Sequence, residues 1–110
     1  MNDRFLSLLG IARRAGRLSL GSDAVTDSLR KGSARLVFLA EDLSPRTAAG
    51  LEAAANEEGI PVKKAGYSME QIGMALGKKT GIVAVNDAGF AKKLMALQEQ
   101  THLGTGGNRI

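Results

Sequence analysis

Apolar residues recur along this chain in two periods, one helical and one in short unbroken runs. Phe5, Leu8, Leu9, Ile11 and Ala12 fall at helical spacing and Gly16 stands where helices often stop, which predicts a first amphipathic helix over Asp3–Ala15. Leu18–Leu20 is a short strand. Gly21 or Ser22 then opens a second helix through about Lys31, with Val25 and Leu29 as a buried pair four residues apart. Gly32 ends it, and Arg35–Ala40 is an apolar run too short for a helix, which predicts a buried central strand. Ser44 is an N-cap with Pro45 at the first helical position, Thr47–Glu58 is rich in helix formers, and Gly59 closes that helix. Ile60–Lys64 is a strand whose Pro61 places it at an edge or a strand start. Ser68, followed by Glu70 and Gln71, opens a small helix carrying Met69, Ile72, Met74 and Leu76. Gly77–Gly81 is a loop, Ile82–Val85 a second all-apolar strand, and Asn86-Asp87 leads into a last helix from Ala88 to about Gln98.

Strands that are apolar at every position must be covered on both faces. Helices alternating with such strands therefore predict a three-layer α/β/α sandwich with a mixed sheet of about four strands. The domain spans residues 1–99. Residues 100–110, with a GTGG run, have nothing to pack with and read as a disordered tail.

Charge sharpens the picture by its distribution. The net charge is +4. Residues 1–35 hold seven cations (Arg4, Arg13, Arg14, Arg17, Arg30, Lys31, Arg35) against three acids (Asp3, Asp23, Asp27), so the whole excess belongs to that third of the chain. A polyanion-binding face leaves such a footprint, and so does a merely soluble basic surface. Arg13, Arg14 and Arg17 also fall where a helix C-terminus favours cations whatever the function.

Several chemistries are excluded. The chain has no cysteine, so disulfides, thiol catalysis and thiolate metal sites are absent, which fits a reducing cytoplasm. No run approaches the roughly 20 apolar residues of a membrane helix, and the start lacks a secretory pattern. The single histidine, His102, falls in the tail, too loosely held for a catalytic base or metal ligand. Gly73–Thr80 has the wrong spacing for a phosphate loop, and Glu41-Asp42 and Glu57-Glu58 read as solvated acids. The chain is accordingly read as no enzyme, with no cofactor, metal, membrane or small-molecule substrate.

What remains is the start of the second helix. At Gly21–Asp23 several backbone N–H groups gather without intrahelical partners, an anion-receiving point bracketed in sequence by Arg13, Arg14, Arg17, Arg30, Lys31 and Arg35. With one tyrosine, three phenylalanines and no tryptophan, base-stacking platforms are scarce, so recognition of a nucleic acid would rest on shape and backbone. The acids also have a plain reading, Asp23 in a first turn and Asp27 paired with Lys31.

LLGIARRAGRLSLG (Leu8–Gly21), ARLVFLAEDLS (Ala34–Ser44), Ile60-Pro61-Val62 and IGMALGKKTGIVAVNDAGFAKKL (Ile72–Leu94) together resemble the kink-turn-binding ribosomal-protein superfamily, in its bacterial YlxQ-type branch. The resemblance runs over most of residues 4–97 in order. It implies an α/β/α sandwich whose second helix enters the widened major groove of a kinked RNA at tandem sheared G·A pairs. The pattern there is Gly-x-Asn-Glu-x-x-Lys, and the matching positions read Gly21, Ser22, Asp23, Ala24, Val25, Thr26 and Asp27. Gly21 is kept and Asp23 still accepts hydrogen bonds, while Ala24 and Asp27 depart from it. The loop that in the family lies against the flipped-out nucleotide corresponds here to Lys78-Lys79-Thr80, and Glu41 matches the family's acidic position after the central strand.

The resemblance thus implies a partner: structured RNA, a kink-turn or ribosomal RNA, with the ribosome or translation factors nearby. Its contacts are Gly21, Ser22, Asp23, Thr26, Asp27, Glu41 and Thr80 with the cations Arg13, Arg14, Arg17, Arg30, Lys31, Lys78 and Lys79. A second reading stays open, a non-enzymatic protein-interaction module on the same scaffold that has lost kink-turn specificity.

Overall fold

A computed structural model of the chain describes residues 3–106, with side chains as far as Glu99. The elements are α1 (Arg4–Arg14), β1 (Leu18–Leu20), α2 (Ser22–Lys31), β2 (Leu36–Leu39), α3 (Pro45–Glu57), β3 (Val62–Lys64), α4 (Met69–Leu76), β4 (Ile82–Val85) and α5 (Ala88–Gly106). Each strand and helix predicted from the pattern is present. The last helix runs on to Gly106, past the predicted end at Gln98. The tail expected over 100–110 falls outside the described residues from 107 on and, for its side chains, from 100 on, which includes His102.

The sheet order is β1-β4-β2-β3. β4 lies antiparallel to both β1 and β2, and β2 pairs in parallel with β3, so the sheet is mixed. Side chains alternate between its faces. Leu36 and Phe38 of β2 and Val83 and Val85 of β4 pack with Phe5, Leu9, Ile72, Leu76 and Leu94, from α1, α4 and α5. Val37, Leu39, Ile82 and Ala84 pack on the other face with Val25, Leu29, Leu51 and Ala55, from α2 and α3. Three layers result, and both central strands are buried at every position, as their unbroken apolar runs required.

Two ties fix α1 over the sheet. Asp3 caps α1 by accepting from the Leu6 N–H at 2.9 Å, and its other oxygen accepts from the Tyr67 hydroxyl at 2.5 Å. Phe5 stacks on Tyr67 and meets Phe38 edge-on, with ring centroids 5.0 Å apart in the latter pair. At its far end α1 donates from the Arg13 guanidinium to the Leu76 carbonyl, one of the free acceptors at the end of α4.

Because β4 is antiparallel to its neighbours, its start lies beside the C-terminal ends of the others. Leu20 pairs with Val83, and Leu39 pairs with both Ile82 and Lys64. The segments leaving those strand ends therefore share one end of the molecule, and the candidate site is built there.

Candidate nucleic-acid interface

Gly21 makes the turn from β1 into α2 with φ +91° and ψ 163°, a conformation essentially confined to glycine. Its N–H donates to the Ile82 carbonyl at 2.9 Å, which pins the start of α2 against the start of β4. A glycine N-cap has no side chain to offer. The other helix starts each receive a side-chain acceptor, from Asp3, Ser44, Ser68 and Asp87. Among the described residues α2 alone begins with its N–H groups free of any side-chain cap. Ser22, Asp23 and Ala24 are exposed there, at the positive end of the helix dipole.

The neighbouring loops close in on this point. The Ala40 N–H donates to the Gly81 carbonyl at 2.9 Å and the Glu41 N–H to the Tyr67 carbonyl at 2.8 Å, which knits the segment after β2 to the entries of β4 and α4. Asp42 accepts from the Met69 N–H at 2.9 Å, at the first turn of α4. Gly81 is buried where an added Cβ would lie 2.9 Å from both Leu43 and Met69. Lys78 and Lys79 run back along α4, with the Lys79 Cα 2.8 Å from the place a Cβ on Gly73 would take. Gly21, Ser22, Asp23, Glu41, Lys78 and Lys79 therefore belong to one end of the sheet.

Thr80 shares that end but does not present its side chain. It is 7 % exposed, and its hydroxyl donates to the Ile82 carbonyl at 3.1 Å and accepts from the Ile82 N–H at 3.3 Å. It shapes the turn into β4. Thr26 is half-buried one turn into α2, and the Asp27 carboxylate is paired with Lys31 at 3.0 Å on the exposed face of the helix. Two cations at this end escaped the sequence reading, Lys64 at the close of β3 and Arg46 in the first turn of α3, both exposed. Neither lies in the basic first third of the chain, and the strand order brings them here.

The arginines that bracket α2 in sequence are split by the fold. The Arg17 carbonyl accepts from the Asn86 N–H and the Arg35 N–H donates to the Val85 carbonyl, so both flank the far end of β4. β1 spans about 10 Å and α2 about 15 Å, which sets Arg17, Arg30, Lys31 and Arg35 well behind the helix start. Arg13 and Arg14 sit at the end of α1, Arg13 holding the end of α4 and Arg14 lining a shallow hollow of about 550 Å³ between the two helices with Ile11 and Met74.

Near the α2 start, cations and acids are mixed: Lys64, Lys78, Lys79 and Arg46 against Asp23, Glu41 and Asp42. Such a surface combines fixed N–H donors and lysines suited to phosphate oxygens with carboxylates that accept from a guanine edge. The Ala24 side chain adds neither a cation nor a carboxylate to it.

The sequence profile of the ribosomal protein L7Ae/L30e/S12e/Gadd45 family matches residues 3–95. A protein of Bacillus subtilis (strain 168), "RNA-binding protein YlxQ", is 41% identical over 91 residues, which cover 82% of this chain and 90% of that protein. "Large ribosomal subunit protein eL8" of Haloquadratum walsbyi is 35% identical over 92 residues, 81% of this chain and 76% of that protein. The solved structure of a protein with unknown function from Bacillus halodurans superposes with a TM-score of 0.83 at 36% identity, covering 89% of this chain and 99% of that one. With the family profile matching residues 3–95 and relatives 35–41% identical over four fifths of its length, the chain belongs to the ribosomal protein L7Ae/L30e/S12e/Gadd45 family.

Proposed function

We propose that this protein binds structured RNA of the kink-turn type through the start of α2, as a cytoplasmic accessory of ribosomal or translation-related RNA, and that it does so without catalysing a reaction. The observation that carries the reading is the side-chain-free N-terminus of α2 at Gly21, set beside the Lys78-Lys79 loop. The names of the Bacillus subtilis and Haloquadratum walsbyi relatives support it, one an RNA-binding protein and the other a ribosomal protein.

In this reading the N–H groups of Ser22, Asp23 and Ala24 and the two lysines receive phosphate oxygens, while the Asp23 carboxylate accepts from the exposed edge of a guanine. Asp27 sets the limit of that grip, since its pairing with Lys31 puts an anion where the family pattern carries a cation. The same feature favours a second reading, in which the face has turned to a protein partner.

Titrating a kink-turn RNA and an unkinked duplex of the same composition separates these readings. Preference for the kinked RNA is expected, and binding of neither RNA at low salt refutes the proposal. Ala24→Glu with Asp27→Lys restores the family pattern and should tighten kink-turn binding by roughly 10-fold or more, at about 1–3 kcal/mol per good base contact. Unchanged affinity means that α2 does not face the RNA.

A further inference from the structure

The fold turns one basic run of sequence into two separate surfaces, and the one behind α2 is absorbed by no role so far. Arg17 precedes β1 and Arg35 precedes β2, and these strands lie on either side of β4, with Leu18 and Leu36 both opposite Val85. The two arginines are therefore about two strand spacings apart, roughly 10 Å. Both alternate with residues of the α1/α4/α5 face and so project to the α2 side of the sheet. The end of α2 is tied down between them: Ser28 is buried with its hydroxyl 2.5 Å from that of Ser19, and Asn86 donates to Ser19 at 2.9 Å. Arg30 and Lys31 follow Ser28 closely in the last turn. All four cations are exposed, and among the described residues the only ion pair is that of Lys31 with Asp27. The acids at this end are Asp87, whose carboxylate caps α5 by accepting from the Phe90 N–H at 2.8 Å, and Glu57 and Glu58, which close α3 on the same face of the sheet as α2.

We infer that Arg17, Arg30, Lys31 and Arg35 form a second phosphate-backbone site, which holds an RNA segment other than the one met by the start of α2. The inference rests on the proposed function for the first segment and on geometry for the second. An RNA groove that receives the first turn of α2 leaves the last turn about 10 Å behind it along the helix axis. A strand laid lengthwise along the exposed face of α2 would instead meet the Asp27 carboxylate half-way. The rear cations thus face a different stretch of backbone, and the protein acts as a bridge between two RNA segments.

The test uses the full chain, Arg17→Gln/Arg30→Gln/Arg35→Gln, and two probes, an immobilised kink-turn RNA and a labelled 20-base-pair RNA duplex. These substitutions leave Lys31 in its pair with Asp27. Wild-type protein held on the kink-turn RNA should retain the duplex, whereas the triple variant should bind the kink-turn RNA equally well and retain none. Titrated directly with the duplex, the wild type should lose about 20- to 40-fold more affinity than the variant between 50 and 200 mM salt, because three lost phosphate contacts remove roughly 0.7–0.9 each from the log K–log salt slope. An equal slope and affinity for the duplex in both proteins overturns the inference. The direct titration needs no kink-turn binding, so it still tests the rear site if the front of α2 proves not to bind a kink-turn. Circular dichroism of the variant guards against misfolding, and Lys78→Gln/Lys79→Gln, at the other end, should weaken kink-turn binding and leave the duplex slope in place.

Discussion

Gly50 and Gly73 both lie inside helices, yet replacing each with alanine should move stability in opposite directions. An interior glycine costs a helix about 0.5–1 kcal/mol relative to alanine, chiefly through the freedom it gives the unfolded chain. Gly50 is in α3, exposed, with nothing within 4 Å of the Cβ it would gain, so Gly50→Ala should stabilise by that amount. At Gly73 of α4 the new Cβ would lie 2.8 Å from the Lys79 Cα and 3.1 Å from the Lys79 nitrogen. Those are backbone atoms, which cannot swing aside as a side-chain tip does. Overpacking costs about 1–3 kcal/mol. Set against the same helical gain, Gly73→Ala should lose about 0.5–2 kcal/mol, and the Lys78-Lys79 loop should be pushed off α4. Urea unfolding followed by circular dichroism reads both changes, and kink-turn RNA titration reads the displaced lysines as weaker binding for Gly73→Ala alone. Equal stabilisation by the two substitutions would refute the packing of this loop on α4.

Three further outcomes follow from the same packing. Burial, and then the Asp3 carboxylate that accepts its hydrogen bond, push the Tyr67 hydroxyl up to about 12. The folded state therefore favours the neutral phenol, and this contribution to stability is present below pH 10 and lost as pH rises from 10 through 12. Since the chain has one tyrosine, an ultraviolet absorbance titration reads the group directly, and Tyr67→Phe should flatten this part of the alkaline decline in the urea midpoint. Phe38→Ala removes a ring that is 1 % exposed and packed edge-on against Phe5, and should cost about 3–5 kcal/mol in urea unfolding. Thr80→Val keeps the shape but takes the acceptor from the Ile82 N–H, at about 1–3 kcal/mol, and should leave RNA affinity unchanged because the hydroxyl never faces the solvent.

The layers of this fold could be read from β2 and β4 because burial on both faces leaves an unmistakable mark, an apolar residue at every position. Helix ends were legible for a similar local reason. Gly21, Gly32 and Gly77 stand where the backbone takes positive φ, and Ser44 and Ser68 where a side chain must accept from an unpaired N–H. The candidate site was only half legible, because a site is a matter of which strand ends lie together. Nothing in LSLG or IVAV says that β4 runs antiparallel between β1 and β2. That one placement brings Lys78 and Lys79 beside Gly21, carries Lys64 to the same end, and sends Arg17 and Arg35 to the opposite end of β4. Charge read along the chain therefore overstates the cluster around the helix start. The same topology reverses the reading of Thr80. In a run such as GKKTG a hydroxyl looks solvated, but the chain must turn there into a fully buried strand, and the side chain is spent satisfying the Ile82 backbone. The proposed recognising surface is thus set less by the number of cations near α2 than by the glycine that leaves its first N–H groups open, a feature that no count of charges would find.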